Sequence, residues 1–513
     1  MLSIGSHKAI SRLRGADYKH LVVAFIGAAI VTRLVLASIL PIAFDEALYW
    51  RYSKHLAAGF LDHPIMNPLM IRIGTTVFGD TPIGVRIVAV LLGIPASWAV
   101  WRAATSLSRD EKIGATAALL FNLTLVMNVG SLLATSDQVV VTTSSLLLYA
   151  LAKVNETGNG KWWIAAGAAF GLGMCSKYTT AFFAVSILSW LILVPANRRW
   201  LLNPWVWIGG TIALSIFAPV IIWNMNHQWA SIAYQTHRMV VHELTLNYLG
   251  ELLAGQFGLA TPPIFVLGCI GLFAVSGKID VSARVLLACL VWPIAGYFAW
   301  HSLHQRVQGN WPESMYPAFV ILAAIAAHMF DGETSVTASI ALWSRRLALP
   351  VGSSLALFSY VQATTGIIPM GPKDPTARML GVGWPQMASE IDNIISRTGA
   401  TAILGTEYQA VSWLTFYLPS HTQAEQVTQR IRWVNEPEPH RDLSRQKLLY
   451  ICKQDCNKVN LIRKKFAVVE LIEMVHRKRG NMAFETYEIY RVAQPTSPLF
   501  DPLYAELESE PAQ

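Results

Sequence analysis

The sequence predicts a multi-pass α-helical membrane protein of about eleven spans with a small C-terminal α/β domain. Three observations carry that expectation. Of the 513 residues, 53% are hydrophobic and only 14% charged, against about 25% charged in an ordinary soluble domain. The charge is also unevenly placed: 34 of the 72 charged residues lie in 368–513, leaving 38 for the first 367. Two stretches with such different compositions are built for different solvents. Third, apolar runs of near-spanning length recur along the first stretch. The expected organisation is a membrane-embedded region over 1–367, an extracytoplasmic α/β domain over 368–494 and a disordered acidic tail over 495–513.

The apolar runs fall at approximately 21–41, 83–104, 113–130, 138–152, 162–175, 179–195, 205–223, 252–275, 285–300, 313–330 and 347–367. The first reads as a span rather than a cleaved signal peptide, being long, interrupted by Arg33 and without a clear cleavage site. With the N-terminus in the cytoplasm, fifteen Lys and Arg fall in inside loops and six in outside loops. That asymmetry fixes the expected orientation, and an odd span count places residues 368–513 outside. The outside loops then hold the polar and aromatic sequence: 44–64, TSD (135–137), SKYT (176–179), WNMNHQW (223–229) and HQRVQGNWP (304–312). Chemistry is therefore expected on the extracytoplasmic face.

Beyond 368 the patterning turns mixed. MASEIDNIISRTG (387–399) reads as a helix stopped by Gly399, TAILGT (401–406) as a buried strand, and QAVSWLTFYL (409–418) as a second helix. LLYICK (448–453) reads as a strand, and 467–475 with 483–493 as a strand pair turned by RKRGN.

Composition excludes several functions. The formal charge of +8 sits mostly in short loops, where topology control rather than nucleic-acid binding puts it. Five cysteines are too few for a disulfide scaffold; only Cys452 and Cys456 are near neighbours, and a bridge between them is possible outside the cytoplasm. No metal-ligand spacing and no glycine-rich nucleotide motif is present. No cofactor is expected, and metal dependence is left open.

The candidate chemistry begins at Asp45 and Glu46, adjacent carboxylates at the end of the first span. Carboxylates are costly to desolvate there, so they read either as a general base or substrate anchor or as the cap of the helix that follows, a role Asp45 fits. Lys54 and His55, then Asp62 and His63, are further substrate contacts or ordinary loop polarity. Arg86, just inside the second span, is either a substrate contact or a snorkelling or ion-paired side chain. Lys177, confined to a short turn between apolar runs, either snorkels or meets an anion, for which phosphate is the natural partner of an ammonium. Arg306 is placed to reach the same anion. Lys177, Arg306 and His63 would then form a cationic pocket facing Asp45, suited to a phosphorylated lipid donor.

The run PIAFDEALYWRYSKHLAAGFLDHP followed by FGDTPIGVRIVAVLLG (78–93) resembles the bacterial branch of the protein O-mannosyltransferase superfamily, membrane glycosyltransferases of the GT-C class. That branch is similar to the lipid A aminoarabinose and galacturonic acid transferases. GLGMCSKYTT (171–180), PVIIWNMNHQWASIAYQ (219–235), GQFG (255–258), QRVQGNWPESMYPA (305–318), DPTARMLGVGWPQMASEI (374–391) and LGTEYQAVSWLTFYLP (404–419) extend the resemblance over most of 33–420. It implies inverting transfer of a sugar from a polyprenyl-phosphate carrier to an acceptor on the outer side of the inner membrane. It assigns Asp45, with Glu46, to catalysis, and Lys177 and Arg306 to the carrier phosphate. The family's Asp-Pro motif corresponds to Thr135-Ser136-Asp137-Gln138, where Asp137 is kept without the prolines. The sugar-binding MIR repeats of the eukaryotic branch are absent, which argues against mannosylation of secreted proteins. Lipid A or core oligosaccharide is the favoured acceptor and galacturonic acid a plausible sugar. The alternatives are another envelope or protein acceptor within the same superfamily, or a multi-span transporter.

Overall fold

The computed structural model describes residues 3–505 apart from 238–243, 275–278, 440–442, 444, 455 and 456; for 3–16 it describes backbone only. Cys456 and Lys278 lie outside the described residues, as does Arg238. The chain forms two compact units. The first comprises 1–35, 87–222 and 239–358, the second 36–86, 223–238 and 359–513. The division thus differs from a single cut at 367: the first polar loop and the segment around Trp223 join the C-terminal domain.

The first unit is helical. Among the described residues, five helices are long and apolar enough to cross a membrane: 17–39, 82–108, 204–226, 281–301 and 336–365, some of which continue into the second unit. Two bent pairs, 178–193 with 195–202 and 247–259 with 262–274, raise the number to seven if each is one span. Among the other apolar runs, Tyr316–Met329 is a shorter, Ala-rich helix of 14 residues. All but its last two residues are buried, so its apolar character serves helix packing. Close approach is visible at Gly271, where an added Cβ would lie 2.3 Å from the Leu322 carbonyl oxygen. Arg33 is enclosed as well, its guanidinium 3.3–3.4 Å from the amide oxygens of Asn122 and Asn128.

In the second unit, the tail forms a five-stranded mixed sheet from β1 (Ala402–Gly405), β2 (Gln423–Gln426), β3 (Leu448–Lys453), β4 (Phe466–Arg479) and β5 (Met482–Pro495), in the order β2-β1-β3-β5-β4. β1 is parallel to β2 and β3, while β5 is antiparallel to β3 and β4. Helices Trp384–Thr398 and Tyr408–Tyr417 fall where the periodicity places them. The strand 423–426 has no alternating pattern and went unread; QAEQ becomes a strand through pairing with β1. Residues 495–505, expected as disordered, pack on this domain. Leu499 is buried, the Asp501 amide donates to the Val427 carbonyl at 2.9 Å, and Arg430 lies 4.6 Å over the Phe500 ring. Their apolar side chains outweigh the acidic character of the segment; residues 506–513 are outside the described set.

Candidate active site

In the second unit, the polar loop folds into helix Phe44–Lys54 and an irregular return through Pro64. Its two adjacent carboxylates separate at once. Glu46 is wholly buried and accepts from Arg86 Nε at 2.7 Å and Nη2 at 2.6 Å. It also reaches back to accept from the Ala43 amide at 2.7 Å. The rest of the Arg86 fork donates to the carbonyls of Leu40 and Pro41, at 2.7 and 2.8 Å. The ion pair is therefore a brace between two chain segments, and the reading of Arg86 as a substrate contact gives way to the ion-paired alternative. The N-cap is Ala43 rather than Asp45, and the carboxylate that serves the helix start is Glu46's. Asp45 sits half-buried in the first turn, and its charge acts on Tyr408 of the tail, helping burial to push that phenol upward.

The remaining loop residues are similarly placed. Lys54 pairs with Asp80 at 2.5 Å over the Trp50 ring, and Trp50 Nε1 donates to Asp80 at 2.7 Å. His55 is exposed at the helix end, and the His63 ring lies 6.3 Å from that of Tyr49. Asp62 is ion-paired with Arg432 of the tail and accepts from the Tyr52 hydroxyl at 3.1 Å. Arg432 is flanked by Tyr408, 4.2 Å from its ring centroid. Arg51 makes the most extensive contacts: both Glu436 oxygens at 2.6–3.0 Å, Glu425 at 3.4 Å and the Ala424 carbonyl at 2.9 Å, above Trp433. Burial opposes its charge, but the two carboxylates hold its pKa above the ordinary value. The 223–229 motif enters here too. Trp223 Nε1 donates to Asn435, whose amide donates to the Gly59 carbonyl, and a Cβ on Gly59 would lie 2.6 Å from the Trp223 ring. The Asp45 helix is thus clamped by side chains of the C-terminal domain.

In the first unit a second cluster joins four of the motifs. Lys177 is ion-paired with Asp137, and both are largely buried. Ser176 Oγ donates to the Ser136 carbonyl at 2.9 Å, tying SKYT to TSD. Asn310 Nδ2, from GNWP, donates to the other Asp137 oxygen at 2.7 Å. Glu313, three residues further along, is buried too. Gln256, from GQFG, donates to the Gly309 carbonyl at 2.8 Å and accepts from the Tyr316 hydroxyl at 3.0 Å. Arg306, expected beside Lys177, is instead an exposed side chain paired with Glu251 at 2.7 Å. Of the residues expected in the cationic pocket, Lys177 and Arg306 belong to the first unit and His63 and Asp45 to the second. Asn310, Glu313, Arg51 and Arg432 were missed. Glu313 could have been found, since a carboxylate opening an apolar run needs a partner; Arg432 could not, because its partner is 370 residues away. Among the described residues no group of three or more His, Cys, Asp and Glu could hold a metal ion.

Known proteins resemble the chain in fold and, over part of its length, in sequence. The family described as dolichyl-phosphate-mannose-protein mannosyltransferase matches residues 62–223. Crystal structures of ArnT from Cupriavidus metallidurans, bound to undecaprenyl phosphate and in the apo state, have TM-scores of 0.62 and 0.63 at 15% and 14% identity. Each alignment covers 94% of this chain and 99% of the other. The chain thus shares the fold of the ArnT structures, and residues 62–223 are similar to that mannosyltransferase family, in keeping with the motif resemblance. Among characterised proteins it is similar to the lipid A galacturonosyltransferase RgtD of Rhizobium johnstonii, 25% identical over 283 residues. That match spans 54% of this chain and 59% of the relative.

Proposed function

We propose that the protein is an inverting glycosyltransferase that moves a sugar, galacturonic acid in the favoured reading, from a polyprenyl-phosphate carrier to lipid A or the lipopolysaccharide core. The face is the periplasmic side of the inner membrane, with the N-terminus cytoplasmic. The observation that carries the reading is the joint match: the ArnT fold, seen with undecaprenyl phosphate, together with sequence similarity to a lipid A galacturonosyltransferase. An acceptor oxygen attacks the anomeric carbon, and the bond to the carrier phosphate breaks with its electron pair leaving on the phosphate. Asp45 is the group assigned to the acceptor. It takes the proton of a hydroxyl acceptor, or orients an anionic phosphate acceptor that has none to give. Glu46 contributes by holding the helix start, so that Asp45 is presented in one position. Lys177 is assigned to the carrier phosphate, where a compact ammonium stabilises the departing charge, exchanging Asp137 for phosphate as the donor binds. Arg306, more exposed, contributes to attracting that anion.

The deciding experiment is mass spectrometry of lipopolysaccharide from a strain lacking the gene beside its parent. Loss of one defined sugar from lipid A or core is the expected result. Unchanged lipopolysaccharide would sink the acceptor assignment and turn the search to other envelope glycans or protein.

A further inference from the structure

Within the second unit, Arg432 is used differently from Arg86 and Arg51. Those two engage all three of their side-chain nitrogens. Arg432 donates from Nη1 to Asp62, and its buried Nε has no hydrogen-bond partner. Buried polar groups are as a rule paired, and an unmet N–H in a well-packed site calls for an acceptor that binds there.

The packing around it is close. Gln429, at φ +50°, turns the chain into the short 3-10 turn Arg430–Trp433 that carries Arg432. Ile431 and Leu61, the chain neighbours of Arg432 and Asp62, join Ala230 in one buried apolar cluster. Gln235 Nε2 donates to the Asp62 main-chain carbonyl at 2.6 Å. The guanidinium lies 4.2 Å from the Tyr408 ring centroid and 5.9 Å from that of Tyr234. Around the enclosed arginine, Asp62, Tyr408, Tyr234 and Asp45 are each partly exposed.

The charges of this cluster narrow the class of ligand. Asp45 and Asp62 are two carboxylates beside one guanidinium. The other cations of the Asp45 helix and its brace are matched already: Arg51 on Glu436 and Glu425, Lys54 on Asp80, Arg86 on Glu46. A phosphate or carboxylate entering here would be repelled. The ligand must accept from an N–H and donate to a carboxylate without adding negative charge, and a hydroxyl does both.

We infer that Arg432, Asp62, Tyr408 and Tyr234 form a subsite for an uncharged sugar. One ring hydroxyl accepts from Arg432 Nε and donates to the Asp62 carboxylate, and the tyrosine rings receive the apolar C–H face. On the proposed function, the sugar read here belongs to the acceptor, because Asp45 borders the subsite.

The test is saturation-transfer NMR of the purified full-length protein in a detergent without a sugar headgroup. The probes are methyl galactoside, galacturonate and galactose 1-phosphate. Methyl galactoside is expected to bind, and the two anions to leave its signal undiminished. Arg432→Lys keeps a cation for Asp62 but has no Nε–H, and should weaken methyl galactoside about tenfold, as loss of one hydrogen bond to a charged group does. Tyr234→Ala leaves the ion pair intact and should weaken it about threefold; if Arg432→Lys does not fold, this variant carries the test. A site that holds water alone would bind none of the three probes, which would overturn the inference. Displacement of methyl galactoside by either anion, or unchanged affinity in folded Arg432→Lys, would do the same. The measurement reads binding and needs no transferase activity, so its failure is distinguishable from failure of the proposed function.

Discussion

The two polar clusters use charge in opposite ways. Around the Asp45 helix, Arg86 and Arg51 are buried arginines whose forks spread over carboxylates and backbone carbonyls: Arg86 on Glu46, Arg51 on Glu436 and Glu425. In the first unit's cluster the buried cation is a lysine, Lys177, on a carboxylate that also accepts from Asn310. A planar fork saturated in several directions cannot change partner without leaving others unmet, whereas a point-charge ammonium can. The arginine pairs therefore hold the structure, and the lysine pair is suited to exchange for a substrate anion. The half-buried Asp45 stands out in the first region because its neighbour Glu46 has taken the structural duty.

The comparison is broken most severely by removing one partner of the fully enclosed pair. Arg86→Ala should leave Glu46 buried and uncompensated, costing on the order of 3–5 kcal/mol, read as loss of folded protein in membrane extracts. Arg432→Ala, which strands Asp62 and withdraws a contact of Tyr408, is expected next, at about 3 kcal/mol by the same reasoning and visible as a lowered melting temperature. In the other region, Lys177→Ala strands the buried Asp137 and should also lower the melting temperature, but in the folded fraction it should in addition raise the apparent KM for the polyprenyl-phosphate donor about tenfold or more. Unchanged affinity would remove Lys177 from the donor site.

Smaller effects sharpen the contrast. Glu485 is partly buried, which alone would raise its pKa, but the Arg477 guanidinium and Lys453 hold it below the ordinary carboxylate range. A depressed carboxylate stabilises the fold above its unfolded pKa and loses that contribution as pH falls through the folded value. Thermal melts of the detergent-solubilised protein should therefore fall less steeply below about pH 4.5 in Glu485→Gln than in the parent. Glu251→Ala, breaking the exposed Arg306 pair, should cost no more than about 0.5 kcal/mol, within the scatter of most melts.

Local patterns carried much of this outcome. The β3 strand at 448–453 and the hairpin turned at RKRGN were readable because alternation and turn chemistry are local. Five of the expected runs coincide with described helices long and apolar enough to cross a membrane. What could not be read was pairing: Arg51 with Glu436, Asp62 with Arg432 and Lys177 with Asp137 join residues up to 385 apart, and nothing in residue spacing sets such partners. For that reason the candidate residues were found while their neighbours were not. Arg306 was expected beside Lys177 while the fold pairs it with Glu251, and Glu46 was grouped with Asp45 although the fold gives them different surroundings.

The division of labour between those two carboxylates is the central claim, and one variant addresses it. Asp45→Asn should express and melt as the parent does, because no part of the Arg86 brace is touched, while sugar transfer from a polyprenyl-phosphate donor to lipid A in reconstituted vesicles falls to background. Parent-level transfer by that variant would contradict the account and remove Asp45 from the reaction.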